Sequence, residues 1–220
     1  MPVVALLIAS GTSVALVLAR IVWTGNVNYS FLIWNLFLAW LPMIFALLAC
    51  ESYQRASVRS LRFLFLAGAW LLFFPNAPYI FTDLIHLTTR FYRHFWVDLS
   101  LILLCALTGL ILGFVSLYLM QSVVRRMLGR AASWVFIGVV AVLSGFGVYL
   151  GRILRFNSWD VLFKPRQLYH GIGNWVADPL ATSTSLAFPV LFATFVFVTY
   201  VMLFALTHLQ ETQKPAQMGA

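Results

Sequence analysis

Charged side chains are scarce in this sequence. Only 9% of its 220 residues are Asp, Glu, Lys or Arg, whereas 62% are apolar or aromatic. A soluble domain carries about 25% charged residues, so no water-soluble fold of this size could cover so much apolar surface. The composition excludes a soluble domain and indicates an integral membrane protein.

Several chemical signals are also lacking. The two cysteines, Cys50 and Cys105, lie in or beside apolar segments without CxxC or Cys/His spacing, which argues against a disulfide framework and a zinc site. Walker, Rossmann, HExxH and GxSxG motifs are absent, and no apolar segment has an internal histidine that could ligate haem. We therefore expect no cofactor, and these motifs assign no metal ligands.

The formal net charge of +8 does not indicate nucleic-acid binding. The basic residues stand singly or in small groups at the ends of apolar runs, where contact with anionic lipid headgroups explains them. We expect membrane lipids, and no nucleic acid, as partners.

Long apolar runs are what the sequence has in abundance. Six of them, at about 3–22, 31–50, 62–81, 98–120, 133–150 and 186–207, each approach the roughly 20 residues that span a bilayer. They predict an all-α integral membrane protein, a six-helix transmembrane bundle that forms a single domain over residues 1–209. A polar tail follows at 210–220, and both termini lie on one side.

The positive charges divide evenly between the two faces, so their number does not decide the orientation. On the face of the termini Glu51 is the only acid near the spans, as expected for topology determinants, and the cations are Arg55, Arg59, Arg62, Arg125, Arg126, Arg130 and Lys214. The opposite cations are mixed with acids, histidine and asparagine: Arg20, Arg90, Arg93, Arg152, Arg155, Lys164 and Arg166. We predict cytoplasmic termini.

The third span contains two prolines, Pro75 and Pro78, at a depth inside the hydrocarbon layer. They remove two backbone donors and favour extended geometry at Phe74 and Ala77, so we predict a broken helix with Asn76 capping the helix that follows. The break is either a simple proline-terminated helix or the wall of a small polar pocket, because backbone freed at membrane depth needs partners.

Asp83 and His86 are three residues apart and share a helical face. This pair fits a structural hydrogen bond, acid/base chemistry, or metal ligation with a third ligand from elsewhere, such as Asn157 or Asp160. All three interpretations remain open.

Arg152 and Arg155 follow the fifth span at a spacing that would place them on one helical face. Paired guanidinium groups suit phosphate or carboxylate, while snorkelling to lipid headgroups is the simpler alternative. Asn157 and Asp160 stand close by. We predict that the two segments meet in a polar centre with at least one Asp–Arg or His–Asp contact.

Two Gly-xxx-Gly patterns, Gly109/Gly113 and Gly147/Gly151, predict close packing of the fourth and fifth spans or docking of a membrane-protein partner, although such patterns also arise by chance. Between the fifth and sixth spans, apolar residues at helical spacing predict a short interfacial helix: Leu168, Ile172, Trp175 and Val176. An irregular loop is the alternative there, because Gly171 and Gly173 weaken a helix.

Three stretches of the chain resemble a bacterial membrane protein family, domain of unknown function 1361. They are Pro75–Tyr79, Thr82–Leu87 and Gly151–Ser158. The resemblance implies a multi-span bacterial membrane protein, and we expect it in the bacterial inner membrane. It implies no particular chemistry.

The residues themselves support three hypotheses of function. The first is a polar site at the extracytoplasmic face that binds an anionic, lipid phosphate-like group through Asn76, Asp83, His86, Arg152, Arg155, Asn157 and Asp160, with Asp83 or His86 as acid/base if it is an enzyme. The second is a non-enzymatic membrane subunit or assembly factor in which the polar cluster is a structural lock. The third, a small transporter, is disfavoured because no charge lies near the middle of a span.

Overall fold

Most of the residues that the structure describes are helical. The structure, a computed structural model, describes residues 2–56, 60–87, 94–178 and 183–212, and these residues form no strand. In chain order they form α1 (Pro2–Thr24), α2 (Phe31–Ala56), α3 (Leu61–Phe73), α4 (Asn76–Tyr79), a 3-10 helix η1 (Ile80–Leu87), α5 (Phe95–Arg152), α6 (Asp160–Phe163), α7 (Pro165–Ala177) and α8 (Ser183–Thr212). The all-α prediction is confirmed. Four of the predicted surface cations lie outside the described residues: Arg59, Arg90, Arg93 and Lys214.

Five helical stretches are long and apolar enough to cross a membrane: Val3–Thr24, Phe31–Arg55, Leu61–Leu87, Phe95–Arg152 and Ser185–Thr207. Many of their large apolar side chains, including Ile8, Phe65 and Leu191, point outward and are exposed. Such a surface is unfavourable in water and favourable in lipid. The chain therefore has the architecture of a multi-pass membrane protein.

α5 is not one straight helix. Its 58 residues would extend about 87 Å, against about 30 Å of hydrocarbon in a bilayer. Gly129 interrupts it with a φ of +88°, a conformation that glycine adopts easily. The ring of Phe204 lies 6.3 Å from Tyr118 and 5.1 Å from Trp134, although those residues would be about 24 Å apart along a straight helix. The chain folds back at Gly129.

This fold-back divides α5 into a first arm, residues 95–128, and a second arm, residues 130–152. The predicted fourth and fifth spans, at about 98–120 and 133–150, lie in these two arms. Each arm packs into the buried core. Leu117 and Ile137 share one cluster with Trp70, while Ile102 belongs to a second cluster with Leu32.

Two helices, α6 and α7, lie between the second arm and α8. α7 contains the residues predicted to form an interfacial helix, so the prediction of a helix there is confirmed. Trp175 anchors it, donating through Nε1 to the carbonyl of Ser185 at 2.9 Å and packing 4.8 Å from the ring of Phe146. α8 continues to Thr212, into the predicted polar tail, and residues 213–220 lie outside the described chain.

Candidate functional site

The third span loses regular α-helical geometry at its prolines. α3 ends at Phe73, and a turn leads into the four-residue α4 and then η1. The predicted break is therefore confirmed in part: the regular α-helix is interrupted, although the backbone of Phe74, Pro75 and Ile80 stays in the helical region. The expectation that Phe74 and Ala77 are extended is wrong: Phe74 has φ −53° and ψ −41°, and Ala77 lies within α4. The chain tightens instead of unwinding, since the Ala77 amide donates to the Phe74 carbonyl at 3.1 Å, a three-residue step.

Asn76 stabilises the end of the preceding helix. Its amide nitrogen donates to the carbonyl of Phe73 at 2.9 Å and to the hydroxyl of Ser158 at 3.0 Å. The expectation that Asn76 caps the following helix is wrong, because α4 has no side-chain cap. The group that lacks a helical partner is a carbonyl at the end of α3, and an amide N–H satisfies it. Asn76 thus ties the break to the segment after α5.

Both glycine patterns pack against this break and not against each other. A Cβ on Gly109 would lie 2.7 Å from the side chain of Ile80, and one on Gly113 would lie 2.8 Å from Cβ of Ala77. A Cβ on Gly147 would lie 2.6 Å from the ring of Pro75. Glycine is needed where these backbones approach so closely.

In the Gly147/Gly151 pattern, a Cβ on Gly151 would lie 3.2 Å from the ring of Tyr79. The two glycine patterns therefore let α4 and its flanking residues pack between the two arms of α5. Gly109 and Gly113 are buried within the protein itself, whereas Gly147 and Gly151 are partly exposed.

Asp83 and Arg152 form a buried ion pair between η1 and the last residue of α5. Arg152 Nη1 lies 3.2 Å from Asp83 Oδ1, and the Asp83 side chain is 2% exposed. Asn35 donates to the other carboxylate oxygen at 2.7 Å. Arg152 also donates to the Thr82 carbonyl at 2.6 Å and to the Tyr79 hydroxyl at 3.3 Å. The predicted Asp–Arg contact between the two segments is confirmed.

His86 lies on the same face as Asp83, as its spacing predicts. Its Nε2 is 3.8 Å from Asp83 Oδ1, which is longer than a hydrogen bond, and its side chain is 36% exposed. The ring packs 4.9 Å from Phe31 at the start of α2. Within the described chain, no group of three or more His, Cys, Asp and Glu side chains is placed to hold a metal ion. Of the two candidate acid/base residues, His86 is the more accessible.

Arg155 does not share a helical face with Arg152. α5 ends at Arg152, and Arg155 adopts a φ of 60° while its side chain is exposed. The expectation that the two arginines share a helical face is wrong, because the helix stops before Arg155. The Phe156 amide turns back to the carbonyl of Leu150 at 3.0 Å, which closes the helix end.

Asp160 also stays apart from the ion pair. Its carboxylate accepts a hydrogen bond from the backbone amide of Asn157 at 2.7 Å and lies 3.7 Å from the ammonium group of Lys164. The buried carboxylate of Asp160 thus orders its own turn. The predicted set of site residues therefore divides into an Asp83–Arg152 centre and a separate Asp160 turn, with Asn76 joined to that turn region through Ser158.

A small polar pocket lies beside the ion pair. Its volume is about 100 Å³, enough for several water molecules. Its walls are Trp34, Asn35, Leu38, Pro75, Asn76, Tyr79, Gly147, Gly151, Phe156 and Asn157. Three amides and a phenol supply hydrogen-bonding groups, and none of these lining residues is charged. The break in the third span thus forms one wall of a pocket.

A second buried ion pair, which the sequence patterns did not predict, joins α1 to α5. Arg20 Nε lies 2.8 Å from Asp98 Oδ1, with side chains 9% and 10% exposed. Arg20 Nη2 reaches the other carboxylate oxygen at 3.2 Å, and the Tyr29 hydroxyl donates to it at 3.0 Å. The sequence did offer a signal: Arg20 lies near the end of the first apolar run and Asp98 at the start of the fourth, which places both on the same side of the bundle. Asn35 was missed as well, although it is the only amide side chain in the second run.

A family model described as a protein of unknown function (DUF1361) matches residues 34–208, which is most of the chain. The protein belongs to the DUF1361 family. The resemblance seen in the sequence is therefore confirmed. The matched range includes Asn35, Asp83 and Arg152, whereas α1 with Arg20 lies before it. No curated protein and no solved structure matches this DUF1361 chain.

Proposed function

We propose that this DUF1361 protein crosses the bacterial inner membrane six times, with both termini in the cytoplasm. The crossings are α1, α2, α3 continued by η1, the two arms of α5, and α8. The fold-back at Gly129 supports this number. Arg125, Arg126 and Arg130 flank Gly129 with no acid among them, and such short basic connections favour the cytoplasmic side.

Its role in this proposal is that of a non-enzymatic membrane subunit or assembly factor, and the Asp83–Arg152 pair is a structural lock. One observation carries this conclusion: the buried Asp83 carboxylate and the partly buried Arg152 guanidinium are both committed to protein partners. A carboxylate that bound a ligand or moved protons would need lone pairs open to a cavity. Asp83 instead accepts from Asn35 and Arg152 and ties η1 to the end of α5.

The small pocket supports a second candidate function, the binding of a small neutral polar group. Asn35, Asn76, Tyr79 and Asn157 line it, so hydroxyl or amide groups would find both donors and acceptors. An anionic ligand is less suited to this position, because the nearby guanidinium of Arg152 is already paired.

The test compares folded yield with phenotype in cells that lack the gene. We expect Arg152→Gln to lower yield and function together, because Asp83 would remain buried without its cation. Arg155→Lys, at an exposed position, should change neither. A variant such as Arg152→Gln or His86→Asn that lost the phenotype at normal yield would contradict the lock and support a ligand or catalytic site.

The pocket candidate has its own variant in the same assay. Asn157 is exposed, and the hydrogen bonds found for it within the described chain are made by its backbone: its amide donates to the Asp160 carboxylate and its carbonyl accepts from the Asp160 amide. Asn157→Leu should therefore fold normally while removing one amide from the pocket wall. Loss of phenotype at normal yield would support binding in the pocket, and an unchanged phenotype would leave the lock as the sole function of this end.

A further inference from the structure

A second polar pocket lies at the opposite end of the second arm, where α5 turns back at Gly129. Its volume is about 260 Å³, and both arms of α5 and α8 line it. The distance along the second arm from Arg130 to Arg152 is about 33 Å, so this pocket is remote from the Asp83 centre. Its polar groups include Arg125, Arg130 and Gln121, and its aromatic groups are Tyr118, Trp134 and Phe204.

The two arginines of this pocket carry charge that the described chain does not neutralise. Arg125 comes from the first arm and Arg130 from the second, both are exposed, and neither has an acid within ion-pair distance among the described residues. Glu51 is the only acidic residue of α2, and its carboxylate is already paired with the Arg55 guanidinium at 2.6 Å. Two cations that line one pocket repel each other. An anion bound between them would attract both and offset this repulsion.

Gln121 provides the third group and the most specific one. The residue is 4% exposed, and its Oε1 accepts a hydrogen bond from the Tyr200 hydroxyl at 2.6 Å, which fixes the orientation of the amide. Its Nε2 has no acceptor within the described chain. Gln121 lines the pocket, so a ligand oxygen there would give this N–H group an acceptor. The Ser133 hydroxyl, by contrast, already donates to the Arg130 carbonyl at 2.8 Å.

We propose that this pocket binds the phosphate group of an anionic phospholipid. Guanidinium groups and an amide N–H suit phosphate oxygens, and the aromatic wall suits the glycerol and ester region of a lipid. The Tyr118 and Trp134 rings both contact Phe204, so this wall is continuous from one arm to the other across α8. A lipid held here joins the two arms of α5 across the Gly129 turn.

The first test needs no variant. Protein purified in a neutral detergent and stripped of lipid is titrated with phosphatidylglycerol, phosphatidylcholine or inorganic phosphate, and binding is followed by native mass spectrometry and by the unfolding temperature. Phosphatidylglycerol should bind and raise the unfolding temperature, while the other two bind at least tenfold more weakly. Equal binding of phosphatidylcholine would overturn the proposal, and equal binding of inorganic phosphate would overturn its assignment to a lipid.

The second test separates this pocket from general surface charge. Arg125→Gln and Arg130→Gln should each weaken phosphatidylglycerol binding about tenfold or more, which corresponds to about 1.4 kcal/mol. Arg126→Gln is the matched control, because Arg126 is exposed, equally charged and adjacent to Arg125, but does not line the pocket. If Arg126→Gln weakened binding as much as the other two, the lipid would be held by diffuse charge and the pocket assignment would be wrong.

Discussion

Removal of the Asp83–Arg152 ion pair should destabilise the fold in a way that depends on which charge is lost. Arg152→Gln leaves the Asp83 carboxylate, 2% exposed, with Asn35 as its remaining donor. Loss of one partner from a buried pair costs about 3–5 kcal/mol, and we expect this variant to fall in that range. Asp83→Asn should cost less, because Arg152 is 16% exposed and retains the Thr82 carbonyl at 2.6 Å.

The double variant Asp83→Asn/Arg152→Gln removes both charges and should recover part of the loss. We expect a coupling energy of about 1.5–3 kcal/mol, the range for hydrogen bonds to charged groups. The assay is the free energy of unfolding in mixed micelles, measured for the parent, both single variants and the double variant. Arg155→Gln is the control for losing a cation at this end of the bundle. A coupling energy near zero, or an Arg155→Gln effect as large as that of Arg152→Gln, would show that the Asp83–Arg152 pair does not stabilise the fold.

Three further predictions concern the rest of the fold. Cysteine labelling in intact cells should find position 130 shielded and position 164 accessible, and the reverse would invert the proposed orientation. Gly147→Val should lower folded yield sharply, because even its Cβ would lie 2.6 Å from Pro75. The control Gly138→Val should be tolerated, because no atom lies within 4 Å of its Cβ position. Equal yields of the two variants would show that the second arm does not pack on the break. Arg20→Gln should lower the unfolding temperature by leaving buried Asp98 with Tyr29 as its partner, and an unchanged temperature would mean that this pair contributes nothing.

Apolar runs and proline chemistry predicted most of the architecture. The apolar runs placed the long helices along the chain, and the missing backbone donors at Pro75 and Pro78 predicted the interruption of the third span. A proline alone does not end a helix, since α2 continues through Pro42 and α8 through Pro189. Local rules failed where tertiary contacts decided the outcome. Phe74 stays helical because the chain tightens through the Ala77 amide. The Gly-xxx-Gly patterns predicted contacts between two long helices, although each pattern packs on α4 and the residues that flank it.

The polar site could be predicted only in part. The rule that charge in a membrane must be paired predicted an Asp–Arg contact, and Asp83 with Arg152 provides it. Spacing along the chain could not reveal that α5 ends at Arg152, which removes Arg155 from the expected face. It also could not show that the Asp160 carboxylate accepts a hydrogen bond from the nearby Asn157 amide. Nor could it show that Asn35, from another helix, donates to the second carboxylate oxygen of Asp83.

The most direct test of the structural lock is a neutral pair that keeps the fold. Well-packed uncharged residues of similar volume often replace a buried ion pair at no cost in stability, so Asp83→Leu/Arg152→Met is the variant to express in cells that lack the gene. Folded yield and phenotype are measured together. The lock account predicts that a double variant with restored yield also restores the phenotype. Normal folded yield with the phenotype still lost would contradict it, because the charges would then serve a function that the fold alone does not.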